Sequence, residues 1–470
     1  MKARRWTKAI ALSLIVAATA GTSYAASSSD RDQPPCAAAT GPVPPVTSTT
    51  IGTIEQAYYC IFDHYFSGST MDDRSLLTAA FAGLTQELQR RGLDQADASM
   101  PPINGDRDSD WEAFSAGYER VTNKASADPD VRQALAAATM NAMVASLGDN
   151  HARWAWSMLP PDAKPGDTYG LGLSGLSGKQ GSGTDPAATP PLFVTSVAAQ
   201  SPAAQADLRP GDVITAVNGV PPYADGVLSQ GVLRWINQTY PQNQTVRLTL
   251  HRPAGGRTWT VAIKPALYPT SAPAVTTKLL PGNVVYVTLP AFFDGAADQV
   301  IQAITKLGES RTPRGVVLDL RGNRGGSPIE VNRLLGAFVH DKITAYHCLA
   351  DGSCTANRTD DTVALLNLPL VTLTDRACGS ACDHFSSAVK ALHVGPLVGT
   401  RTAGAVSGPA AGYQLSDNSL LLLPTLHHLG PNREIIDGIG VPPDYFVPQT
   451  AADLSKGDDR AIATALTLFP

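Results

Sequence analysis

Long apolar runs are scarce in this chain of 470 residues. Beyond residue 25 none reaches the roughly 18 apolar residues of a membrane-spanning helix, so stable membrane insertion is not expected. An excess of positive charge is missing too. Lys and Arg total 36 against 41 Asp and Glu, for a net charge of −5, which argues against a nucleic-acid partner. Ligand-spaced clusters of Cys and His are also lacking. Cys348 and Cys354 stand too far apart for a zinc knuckle, and no second Cys/His pair has ligand spacing, so neither a metal nor another cofactor is expected. Charged residues make up only 16% of the chain and hydrophobic ones 43%, a balance that suits globular domains with sizeable cores. Gly (41) and Pro (36) are frequent, which predicts many turns and some linker.

Residues 1–25 read as a secretory signal peptide rather than as part of the fold. Lys2, Arg4, Arg5 and Lys8 form a basic start, residues 9–20 an apolar centre too short to span a bilayer, and Ser23-Tyr24-Ala25 a small-x-small cleavage site. The chain is therefore expected to be exported, to a bacterial periplasm or the extracellular space. Its removal takes away basic residues and no acid, leaving a more acidic chain. Six cysteines remain, and an even number in an exported chain predicts disulfides. Proximity favours Cys36 with Cys60, Cys348 with Cys354 and Cys378 with Cys382, although other pairings are allowed.

Residues 26–50 are rich in Ser, Asp, Pro, Ala and Thr and read as a disordered linker. Residues 51–165 carry helical periodicity. Ile54, Ala57, Tyr58, Ile61, Phe62 and Tyr65 recur at i, i+3, i+4 spacing, and Leu76, Leu77, Ala80, Leu84 and Leu88 form a second stripe opened by Asp72 or Asp73 as a cap. Residues 94–110 are polar and read as a loop, and a further helix is expected over 130–147. Directly after it comes Gly148-Asp149-Asn150-His151, in isolation an ordinary polar surface turn. Residues 166–268 change to short strands and turns. Residues 269–470 alternate strand and helix signals, which argues for an α/β sheet with helical cover.

Within 166–268, Tyr169-Gly170-Leu171-Gly172-Leu173 opens the block, and Ser201-Pro202-Ala203 followed by Asp207-Leu208-Arg209-Pro210-Gly211-Asp212-Val213-Ile214 sits in its middle. The block closely resembles a PDZ domain. That resemblance implies that backbone N–H groups of Gly170, Leu171, Gly172 and Leu173 cradle a C-terminal carboxylate while the peptide adds as a strand to a sheet edge.

An apolar run over 368–373 reads as a buried strand and ends in Ala377-Cys378-Gly379-Ser380-Ala381, with a helical segment after it. Ser380 thus stands where a strand hands over to a helix. Unpaired helix-start N–H groups there face a developing oxyanion, and glycine allows the sharp turn. An ordinary helix-capping serine is the alternative on this stretch alone. Asp319-Leu320-Arg321-Gly322-Asn323-Arg324-Gly325-Gly326 follows the preceding sheet strand, so both loops are expected at one edge of the sheet. With Thr400-Arg401-Thr402-Ala403-Gly404 and Asp437-Gly438-Ile439-Gly440-Val441-Pro442-Pro443-Asp444, these motifs resemble the S41 serine peptidases, namely the carboxyl-terminal processing or tail-specific proteases and their tricorn-like relatives. The resemblance spans nearly all of the chain after residue 25. It implies a multidomain α/β fold: a helical N-terminal cap (51–165), a PDZ β-domain (166–268) and an α/β peptidase core (269–470) with a mixed, ClpP/crotonase-like sheet.

The resemblance makes Ser380, in Ser380-Ala381-Cys382-Asp383, the nucleophile. One departure matters: the processing proteases carry a lysine base where this chain has Ala405, and alanine takes no proton. The tricorn-like branch implies another base, with His151 on its histidine, Asn150 on the polar residue that orients the ring and Asp437 on its acid; Glu434 is a fallback. His427 and His428 are expected to face solvent, with either of them the alternative base. Neutral imidazole, with a pKa of about 6.5, takes a serine proton near neutral pH. Ala381 with Gly325 or Gly326 would supply the oxyanion hole. The expected activity is that of an exported serine endopeptidase acting near the C-termini of proteins or peptides through an acyl-enzyme. An inactive PDZ-bearing adaptor of the same fold is the alternative that Ala405 raises, and the sequence leaves room for an oligomer. A bond between Cys378 and Cys382 would brace the turn that carries Ser380.

Overall fold

A computed structural model describes residues 36–39, 44–156, 159–177, 190–270, 274–309 and 312–470. The expected signal peptide lies outside the described residues. No described helix is long and apolar enough to cross a membrane.

Four helices form the N-terminal layer: α1 (Ile51–His64), α2 (Asp73–Arg91), α3 (Arg107–Ala125) and α4 (Pro129–Ala145). Each begins where a short polar side chain satisfies a free helix-start N–H: Thr50, Asp72, Asp106 and Asp128 respectively. The apolar stripes of α1 and α2 are buried as their spacing demands. Helix α3 has no counterpart in the sequence reading. Its Asp106 cap and acidic first turn, with Asp108 and Asp110, read as loop, while Trp111, Phe114, Tyr118 and Val121 pack inward one and two turns later.

These helices do not close a core by themselves. Their buried side chains share one cluster with Trp154, Tyr413, Leu415, Leu421 and Leu423. The last four belong to or adjoin the hairpin Ala410–Gln414 and Leu420–Pro424, which pairs on its two sides with Ala37–Ala38 and Arg153–Ala155. The helical layer and this hairpin therefore share one core. Within the expected linker over 26–50, two described points are tied to the fold. A Cys36–Cys60 disulfide ties residue 36 to α1, and Thr47 donates its N–H to the Asp417 carbonyl.

The PDZ-like block has its own core and a five-stranded antiparallel sheet. Helices α5 (Pro202–Gln205) and α6 (Gln230–Ile236) belong to it. Strand Leu173–Ser177 lies at one edge of that sheet, paired only with Phe193–Val197.

In the last third a six-stranded mixed sheet runs in the order Thr276–Leu280, Val284–Thr288, Gly315–Asp319, Leu370–Thr374, Leu397–Gly399 and Tyr445–Phe446. Only the first pair is antiparallel. Side chains alternate between faces, as the two-residue period of a strand requires: Val316 and Leu318 join one core cluster and Val317 the other. Helices α7 (Ala296–Gly308), α8 (Pro328–Gly336) and α9 (Ala381–Ala391) cover the first face, and α10 (Ala451–Lys456) precedes α11 (Arg460–Leu466) on the second. Because Gly315–Asp319 and Leu370–Thr374 are parallel neighbours, the loops that follow them emerge side by side.

Leu421→Ala should cost about 3 kcal/mol, since Leu421 is fully buried in the core shared by helices and hairpin. Chemical denaturation followed by circular dichroism is expected to show helix and sheet signals shifting together. A variant in which only the sheet signal shifts would mean that the helices are stable alone.

Candidate active site

Ser380 sits at the turn into α9 with φ 58° and ψ −120°, a backbone conformation that a non-glycine residue holds only when its surroundings impose it. Four contacts do so. The Ser380 N–H donates to the Ala405 carbonyl at 2.7 Å and to the Asp383 carboxylate at 3.1 Å. Gly379 donates to the Asn323 carbonyl at 3.0 Å. The disulfide between Cys378 and Cys382 spans the turn, and both cysteines are buried. Cys36–Cys60 and Cys348–Cys354 complete the pairing that proximity favoured.

Asp383 lies in the interior and also accepts from the Thr402 hydroxyl and from the N–H groups of Gly404 and Ala405, both at 3.0 Å. Burial raises its pKa to about 6 against the pull of these donors. Near neutral pH it is ionised and keeps all four donors. As pH falls through about 6 it takes up a proton and loses acceptor capacity.

Helix α4 brings in the other half of the site. The chain leaves it through Gly148 at φ 64° and forms the turn 149–152 before strand Arg153–Ala155. His151 Nε2 lies 3.0 Å from Ser380 Oγ, and His151 Nδ1 lies 2.6 Å from Asn150 Oδ1. Asn150 Nδ2 donates to Asp437 Oδ1 at 2.7 Å and to the Gly404 carbonyl at 3.3 Å. These contacts fix the tautomer. Asp437 Oδ1 accepts from the Asn150 amide nitrogen, so the amide oxygen faces His151. Nδ1 must then carry the proton, which leaves the Nε2 lone pair toward the serine hydroxyl. Asp437 reaches the imidazole through Asn150. Its Oδ1 is itself held by Val406 N–H at 3.0 Å. Burial lowers the pKa of His151, with Arg153 adding to the effect and Asp149 and Asp437 opposing it.

The remaining histidines are placed elsewhere. His427 is half-buried and stacks on Phe66. His428 is not the solvent-facing residue expected: it is buried against His384 and His347, and burial lowers its pKa to about 2. The β-register explains this, because His428 pairs with His347 on a strand that packs under α9. Lys390 is bound by Asp444, and Glu434 accepts from Asn432 N–H.

Gly325 packs against Ser380. A Cβ there would fall 2.5 Å from Ser380 Cβ and 2.9 Å from Ala381 N. Its φ of 101° also calls for glycine. Its N–H, however, donates to the buried Asn323 Oδ1 at 2.8 Å. Of the two glycines considered for the oxyanion hole, Gly326 keeps its donor without an acceptor among the described residues, as does Ala381. Asn323, missed in the sequence reading, is signalled there only as the polar residue inside a glycine loop.

Of the PDZ-loop residues, Gly170 ends a strand pairing with Ala266–Pro269 and Leu173 begins the edge strand. Gly172 (φ 81°) lies so close to Ser201 that a Cβ would stand 2.0 Å from the serine Cβ. Leu171 is buried, and its carbonyl accepts from Ala203 N–H at 2.9 Å. The glycine-rich opening and the Ser201-Pro202-Ala203 motif thus form one packed unit.

The model of peptidase family S41 matches residues 283–447, and that of the PDZ domain residues 193–227. The carboxy-terminal processing protease CtpB of Bacillus subtilis (strain 168) is 25% identical over 375 residues, 78% of this chain and 75% of that protein. Tricorn protease homolog 1 of Streptomyces coelicolor is 32% identical over 158 residues, 33% of this chain but 14% of that much longer protein. The solved structure of mature CPAF complexed with lactacystin superposes with a TM-score of 0.54 at 13% identity, covering 89% of this chain and 96% of that one, a likeness of fold. The chain is a serine-type peptidase. It carries a peptidase family S41 domain and a PDZ domain.

Replacing Cys378 and Cys382 together by Ala is expected to lower stability by about 2 kcal/mol, the loop-entropy value for so short a ring. It should also slow labelling of Ser380 by a fluorophosphonate probe, because the turn loses one of its braces. An unchanged labelling rate would show that the hydrogen bonds from Ala405 and Asp383 suffice.

Proposed function

We propose that Ser380 is the nucleophile and His151 the general base of peptide-bond hydrolysis through an acyl-enzyme. The observation that carries this reading is the 3.0 Å approach of His151 Nε2 to Ser380 Oγ, with the ring tautomer set by Asn150 and Asp437. Attack on the substrate carbonyl passes the serine proton to Nε2, and the imidazolium returns it to the leaving amine. Asn150 and Asp437 stabilise the charged ring, while the N–H groups of Ala381 and Gly326 receive the oxyanion. Ala405 removes the base of the processing proteases, and His151 supplies one within 3.0 Å of the serine hydroxyl. That geometry favours the active reading over the adaptor.

The substrates we propose are exported proteins or peptides with free C-termini. Their terminal carboxylate enters the loop from Gly170 to Leu173, and their last residues extend the sheet along Leu173–Ser177. Edge position and the glycine-rich turn support this. Relatives named for carboxy-terminal processing support the same choice of substrate. Export is supported by the apolar, basic-flanked N-terminus and by three disulfides.

Ser380→Ala should abolish peptide hydrolysis and fluorophosphonate labelling. His151→Ala should reduce kcat by at least about 10²-fold. Full turnover by the His151 variant would sink the histidine-base scheme. Because burial holds His151 below its ordinary pKa, the neutral, proton-accepting ring persists below pH 6.5. The acid limb of kcat/KM is accordingly expected below that value, and a limb above it would contradict the assignment.

A further inference from the structure

We propose that Asp149 is a positioning residue for the reaction: its carboxylate clamps the histidine-bearing turn of the helical layer onto the peptidase core. The inference rests on the reading of His151 as the base.

Four donors converge on this side chain from three parts of the chain. Asp149 Oδ1 accepts from His151 N–H at 2.8 Å, from Ala152 N–H at 3.2 Å and from the Ser407 hydroxyl at 2.7 Å. Asp149 Oδ2 accepts from the Tyr65 hydroxyl at 3.0 Å. The first two bonds shape the backbone turn that carries the imidazole. The third reaches a core residue that is 2% exposed and whose carbonyl accepts from His428 N–H at 2.8 Å. The fourth reaches the residue that ends α1.

Ser407 is two residues beyond Ala405, whose carbonyl holds Ser380 N–H, and one beyond Val406, whose N–H holds Asp437. A single strip of backbone therefore grips the nucleophile, the acid and, through Asp149, the base. No bond from Asp149 to the imidazole ring is needed. The carboxylate sets where the ring stands, whereas Asn150 sets which nitrogen carries the proton. A hydrogen-bonded carboxylate suits this task because charge-assisted acceptors form the stronger bonds and one carboxylate takes several donors at once.

The clamp also places a negative charge beside His151. The charged and titratable groups around the ring are Asp149, Asp437, Arg153, His428 and Tyr65. Asp149 raises the His151 pKa against the lowering by burial. Neutralising it should move the acid limb of kcat/KM to lower pH.

The test compares full-length Asp149→Ala, Asp149→Asn, Ser407→Ala and His151→Ala on one peptide substrate. Active sites are titrated with a fluorophosphonate, so that kcat refers to competent molecules. Asp149→Ala is expected to lower kcat roughly 10²-fold with KM changed less than about twofold, the cost of displacing a reacting group by about an ångström. Asp149→Asn, which keeps an accepting oxygen, should recover most of that loss and shift the acid limb downward. Ser407→Ala should fall between. Wild-type kcat per titrated site in Asp149→Ala, with His151→Ala inactive, overturns the clamp and leaves the base assignment standing. Loss confined to the number of titratable sites, at unchanged kcat, assigns Asp149 a purely structural role and also overturns it. Full turnover by His151→Ala removes the base reading itself.

Discussion

Residues 402–407 are the surface against which the rest of the site is aligned. Ser380 and His151 are 229 positions apart in sequence and meet at 3.0 Å. Neither carries enough local structure to define that distance. Each is instead hydrogen-bonded, directly or through one side chain, to the same six residues. The Ala405 carbonyl holds Ser380 N–H, the Gly404 carbonyl receives Asn150, Val406 N–H holds Asp437, and the Ser407 hydroxyl meets Asp149. Asp383 fastens this strip to α9 through Thr402, Gly404 and Ala405. At the position where the resemblance to processing proteases implies a lysine, this chain has Ala405, whose backbone carbonyl accepts from Ser380 N–H.

The sequence carries the core's layout well because parallel strands leave strong local marks. Buried apolar runs, each followed by a glycine turn and a helix, set two loops on one sheet edge, and their order placed Ser380 beside Gly325 and Gly326. The site is less legible where contacts bridge distant segments. No pattern in 410–424 announces that Leu421 and Leu423 complete a core begun by α1. Helix α3 was lost because its first turn is acidic, as helix starts favour, and that turn resembles a loop. The backbone work of Asp149 and Asn323 has no signal beyond a polar residue in a turn.

Burial sorts the chain's imidazoles into distinct roles. His384 and His428 are packed so tightly that burial lowers their pKa values to about 3 and about 2. They stay neutral throughout the physiological range and serve as packing with polar edges. His151 is lowered too, yet Asp149 and Asp437 counter the effect of burial. It combines a tautomer fixed by Asn150 with the Ser380 hydroxyl in reach.

The sharing of one core between the first helices and a late hairpin has a consequence for synthesis. Chains emerge from the ribosome N-terminus first. Helices α1–α4 and the turn bearing His151 appear early, but their apolar faces lack Tyr413, Leu415, Leu421 and Leu423 until almost nine-tenths of the polypeptide exists. The partner strand of Arg153–Ala155 is equally late. A nascent or prematurely ended chain therefore holds its histidine without a seat.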